Sequence, residues 1–235
     1  MGRRERSLVM SRSTVPLWAF PLAIALVMAV AAHLAWWLSL RAGYIEPCNP
    51  YWDGCTSISR AARHGLGNHL FRLMMLPCAV LVATHWWLAS RWLAGNGTQS
   101  RALAALGVTC ALALGVYATF LGTEGAAYGF LRRYGITVFF GCGFLAQLLF
   151  LRRWRANAMT GTARRQWQLM AAICVAMLVL GVGNVAGDAL LQDRAHQDRL
   201  ENALEWQLGL LLGAWYLMQA WSWRHERLRL SFEGL

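Results

Sequence analysis

Cys48 and Cys55 bracket Asn49-Pro50-Tyr51-Trp52-Asp53-Gly54, where the proline and the Asp-Gly pair favour turns that bring the two sulfurs together. On an oxidising face the expected chemistry is a disulfide, worth about 2–3 kcal/mol of loop restraint. The alternative, a metal site built from Cys48, Cys55, His64 and His69, matches no tight zinc spacing. We therefore expect no metal and no cofactor. The same stretch, Arg41 to Gly67, also carries Ser57, Ser59, Arg60 and His64, polar groups that either cap a bundle or contact a ligand.

A second set of polar residues lies further along. Asn184 and Asp188 are four apart and share a helix face, Glu205-Trp206 stands about one turn into the last apolar run, and Arg72 opens the second. Ionisable groups at the end of an apolar run need a partner, a proton or an aqueous cavity, so these form the candidate polar site. Arg72 is the expected partner of Glu205. An enzymatic reading casts Glu205 or Asp188 as a general base, with Ser57 or Ser59 touching substrate. No nucleophile–base pair, HExxH or phosphate loop is identifiable, so no catalytic residue is assigned. Gly181-Val182-Gly183-Asn184 starts like a nucleotide fingerprint without its βαβ context. Its Gly183-xxx-Gly187 spacing is expected to let one helix approach another closely. His33 has no facing histidine for haem and reads as a packing or hydrogen-bonding residue.

Six apolar runs must position these groups: 16–40, 68–90, 102–122, 134–151, 167–190 and 203–223. Each is about 18–25 residues, enough for a helix to cross a hydrocarbon layer, where every backbone amide must be paired internally. A hydrophobic content of 57% with 14% charged residues agrees. The expected fold is all-α: one polytopic membrane domain of six transmembrane helices spanning residues 1–235, with a structured loop at 41–67. The first run continues through Trp36 and Trp37 to Leu40, longer than a signal core, and reads as a retained helix.

The net charge of +11 is not spread evenly. With the N-terminus inside, the inner gaps collect fourteen arginines against three acids, while the outer gaps hold eight of each. That asymmetry is the positive-inside pattern, with both termini cytoplasmic; it points to anionic headgroups rather than nucleic acid. Trp18, Trp86, Trp87, Trp92, Trp154, Trp167, Trp221 and Trp223 fall toward the inner boundary, and Trp36, Trp37 and Trp206 toward the outer, as an aromatic belt would. Cys78, Cys110, Cys142 and Cys174 sit one per helix and read as small hydrophobes. Arginine without any lysine suggests a GC-rich genome, hence a bacterial inner membrane.

Three stretches carry a family resemblance. They are Thr56-Ser57-Ile58-Ser59 with Leu70-Phe71-Arg72 and Pro77-Cys78-Ala79; Tyr134-Gly135-Ile136 through Phe140-Gly141 and Gln147; and Ala203-Leu204-Glu205-Trp206. Together they resemble the family that groups the damage-regulated autophagy modulators with the FRAG and SFK proteins and the GPI lipid-remodelling factors. The proline-rich end of that family's first loop is missing, and Arg133-Tyr134 stands where the family often has a histidine. The resemblance implies six helices, cytosolic termini and a role in membrane lipid homeostasis or remodelling, with membrane lipids as partners. The competing expectations are an accessory subunit with a membrane-protein partner, or a small-solute transporter. Against the transporter, polar groups crowd one end and the inner helix halves offer few relay residues.

Overall fold

The structure is a computed structural model and describes residues 14–94, 101–156 and 161–231. Apart from one short strand pair it is helical: β1 (Thr14–Pro16), α1 (Ala19–Arg41), α2 (Ile58–Ala61), α3 (Gly65–Ala94), α4 (Arg101–Phe120), α5 (Ala126–Ala156), α6 (Gly161–Leu190), α7 (Arg194–His225) and β2 (Arg229–Ser231). Five of these, α1, α3, α4, α5 and α6, are long and apolar enough to cross a membrane. The sixth expected run lies in the 32-residue helix α7, which falls short in hydropathy and is not one of the five. Glu205, Gln207 and Gln219 interrupt it, and much of its bulk is tryptophan and tyrosine. Most of those residues face inward: Trp206, Trp215, Tyr216, Gln219 and Trp223 are buried with Asn202, and Glu205 and Gln207 are half-buried. A helix that turns its polar side chains into the protein has less need of an apolar surface.

The long helices run up and down, with α4 against α3 and α5, and α7 against α1 and α6. Small residues set the closest approaches. A side chain at Gly107 of α4 would collide with Trp86 of α3, and one at Gly135 of α5 would press on the Tyr117 and Ala113 backbone. Gly187 is likewise filled by Leu200 of α7, but Gly183 faces open space, so only half of the expected glycine pair is a contact.

β1 and β2 pair antiparallel, Val15 opposite Leu230, and Leu17 N–H extends the ladder to the Leu228 carbonyl at 3.1 Å. This clasp was not foreseen. It ties the start of α1 to the end of α7, so one end of the bundle carries both ends of the described chain and the other carries the long loop.

Two sequence expectations need correction. The fourth run was placed at 134–151, yet α5 is already helical from Ala126, because Arg132-Arg133 are helix residues and not a gap. The tryptophans are also not simply a belt. Trp86, Trp206 and Trp223 are buried to 1% exposure or less and Trp154 to 3%. Trp37, Trp87 and Trp221 do stay exposed at 42–47%. Arg41, Arg91, Arg155 and Arg224 lie over Trp37, Trp87, Trp167 and Trp18 at 5.4–5.6 Å.

Candidate functional site at the loop end

The loop between α1 and α3 is an ordered strap. Cys48 and Cys55 form the disulfide, so neither sulfur is left to bind metal. Within it Asp53 Oδ2 accepts from Asn49 N–H at 2.8 Å and Asn49 Oδ1 from Tyr51 N–H at 3.1 Å, the local turn bonds expected of Asn and Asp. Gly54 has φ +59, and its Cβ position is occupied by the Arg199 carbonyl of α7, so both conformation and space require glycine. Ser57 caps α2 by accepting Arg60 N–H at 3.1 Å.

Four side chains of α7 hold the strap down. Asn202 donates to the Gly54 carbonyl at 2.8 Å, Trp206 Nε1 to the Thr56 carbonyl at 2.9 Å, and Gln207 to the Tyr51 carbonyl at 3.0 Å. Glu205 Oε1 accepts Ser59 N–H at 3.0 Å and also receives the Ser57 hydroxyl. Glu205 thus closes onto the loop, with Arg60 and Arg63 as its cationic neighbours. Arg72, the partner expected from the sequence, is half-buried on α3 and takes no part in that cluster. Behind the strap, Tyr51 O–H lies 2.9 Å from His33 Nε2, while His33 Nδ1 is 2.7 Å from the Ala29 carbonyl. With Nδ1 donating to Ala29, Tyr51 donates to Nε2; His33 is a hydrogen-bonding residue, as its isolation suggested.

Two cavities meet here. The first, about 650 Å³, is a polar cleft between α2, α5 and α7, lined by Ser57, Ser59, Arg60, Arg63, Arg132, Arg133, Glu201, Asn202 and Glu205. The second, about 250 Å³, is an apolar groove between α1 and α7, with Leu26, Met28, Ala29, Phe140, Trp206, Leu210, Gly213 and Leu217 on its walls. Glu205, Tyr117 and Ile136 line both. The four-residue helix α2 stands over the junction, offering Ser57 and Ser59 to the cleft and Ile58 to the groove. Burial lowers the Arg63 pKa from the usual arginine range, and the like charges of Arg132 and Arg60 add to the effect.

Of the residues singled out in the sequence, Ser57, Ser59, Arg60, Glu205 and Trp206 are brought together. His64 is exposed and packs on Tyr44 with ring centres 5.3 Å apart; it lines a separate recess on the far side of Arg60 and Arg63. Asn184 sits half-buried on α6, away from both the cleft and the groove. The Asp188 side chain lies outside the described residues. Arg63, Tyr117, Arg132, Arg133, Asn202 and Gln207 were missed as site residues. For Arg132-Arg133 a signal existed: paired arginines in an outer gap otherwise balanced by acids.

Among the described residues no group of three or more His, Cys, Asp or Glu side chains is placed to hold a metal. The five apolar helices define the class, a multi-pass membrane protein. Compared with known proteins, the chain matches no family model, no curated protein and no solved structure.

Proposed function

We propose that the chain crosses the membrane six times with cytoplasmic termini and holds a membrane lipid at the outer end of its bundle, in lipid homeostasis or remodelling. One observation carries this reading: the polar cleft and the apolar groove share Glu205, Tyr117 and Ile136 as walls. A molecule with one polar and one apolar end fits such a pair; a small solute uses only half of it. The groove follows α7 from Glu205 to Leu217, about 18 Å at 1.5 Å per residue, close to one leaflet of a hydrocarbon core about 30 Å thick. The clasp supports an even number of crossings, since β1 precedes α1 and β2 follows α7 on the same end. The arginine asymmetry supports that end as the cytoplasmic one. The resemblance to the FRAG, SFK and autophagy-modulator family favours a lipid role and supplies no chemistry for it.

Native mass spectrometry of the purified full chain tests the reading. A reproducible lipid adduct is expected, and Gly213→Leu should remove it, because a side chain there enters open space within the groove. A protein that never retains lipid would instead favour an accessory subunit. That second reading has its own observation: α6 is the least buried of the five candidate spans, beside an apolar groove of about 580 Å³ lined from α5, α6 and α7.

A further inference from the structure

Granted the lipid reading, the charges of the cleft name the headgroup. Four guanidiniums line it, Arg60, Arg63, Arg132 and Arg133, against the carboxylates Glu201 and Glu205. Arg60 is bridged to Asp198 at 3.0 Å, near the rim. Glu205 is engaged by Ser59 N–H and Ser57. Arg132 uses one Nη1 donor on the Thr123 carbonyl at 3.3 Å, out of the five N–H groups a guanidinium carries. Arg63 Nε is buried with no hydrogen-bond partner, a donor withdrawn from water and given nothing in return. Arg63 and Arg132 are half-buried like charges, and an anion placed among such charges stabilises them.

We propose that the cleft binds the phosphate of an anionic phospholipid through Arg63, Arg132 and Arg133, with an acyl chain descending the apolar groove past Glu205. The planar fork of arginine matches phosphate oxygens two at a time, which a single ammonium does not. Arg132 and Arg133 come from the first turns of α5 and Arg63 from the link between α2 and α3, so the three approach from two different elements. A zwitterionic head would carry its own cation into a cleft that already has an excess of positive charge. Free phosphate shares the headgroup chemistry but leaves the groove unused.

The test titrates the detergent-purified full chain with dioleoyl phosphatidic acid, dioleoyl phosphatidylcholine and inorganic phosphate, reading bound fractions by native mass spectrometry. The acidic lipid should bind roughly tenfold or more tightly than the choline lipid, the size of effect expected of a charge-assisted contact. Arg133→Gln, at an exposed position that folding does not depend on, should reduce this preference. The Arg63→Gln, Arg132→Gln double variant should erase it while choline-lipid binding persists. A preference unchanged in both variants would overturn the arginine cradle. Equal affinity for the two lipids, with Gly213→Leu still weakening both, would overturn the anionic headgroup and leave the lipid reading standing. Binding of neither lipid would remove both. Inorganic phosphate held as tightly as the acidic lipid would make this a phosphate site and overturn the lipid assignment.

Discussion

The two ends of this bundle are built from the same helices to opposite ends. At the clasp end, Trp86, Trp92, Phe150, Trp154 and Trp223 pack ring on ring with centres 5.7–6.5 Å apart. His85 is fully buried among Trp86, Tyr216 and Trp223, and its Nε2 meets Gln219 Oε1 at 3.2 Å. At the loop end, the contacts are hydrogen bonds from α7 to a strap, and they leave two cavities behind. Aromatic rings fill space, whereas a hydrogen-bonded strap encloses it. On the proposed reading one end carries stability and the other binding, and each substitution below presses on that division.

Trp86→Ala should have the largest effect. Its ring is fully buried against Gly107, Phe150 and His85, and truncation should cost about 3–5 kcal/mol. The unfolding temperature should fall accordingly, while on the proposed reading any folded fraction should still retain lipid. Severing the Cys48–Cys55 bridge by double serine substitution should cost about 2–3 kcal/mol at most, because the closed loop is short. Limited proteolysis should then cut the strap first, and lipid retention should fall more than helicity. A thiol-labelling assay gives an independent check, since Cys48 and Cys55 should react only after reduction.

Glu205 divides the two roles more finely. Glu205→Gln keeps an oxygen acceptor for Ser59 N–H, so stability should change by less than about 1 kcal/mol. Glu205→Ala strands that donor and should cost about 1–3 kcal/mol. Arg72→Gln should reproduce neither effect. The smallest change is expected at Arg60–Asp198, a bridge whose side chains are 46% and 55% exposed. Breaking it should move the melting temperature little, as such pairs contribute about 0–1 kcal/mol.

The sequence made the helical class, the disulfide and the Glu205–Trp206 pair legible because each is a local signal: an apolar period, two cysteines around a turn, a carboxylate inside an apolar run. What it hid depends on partners distant in the chain. Asn202 and Gln207 look like ordinary polar residues until the Gly54 and Tyr51 carbonyls lie over them. Arg132 and Arg133 read as loop charge because hydropathy marks where lipid contact begins rather than where the helix begins. Glu205 was matched to Arg72 by its place at the same end of the bundle, and the strap, by folding back across α7, put Ser59 there instead. The clasp escaped notice since three-residue strands carry no readable period.

The most direct test of the central claim is photolabelling of the purified protein with a phospholipid bearing a diazirine on its acyl chain, followed by mapping of the labelled peptides. Labels should concentrate in α1 from Ala25 to His33 and in α7 from Gly209 to Leu217, the facing walls of the groove, and Gly213→Leu should suppress them. Labels confined to Val179, Val182 and Val185 on the exposed face of α6, as for any helix bathed in lipid, would contradict the account.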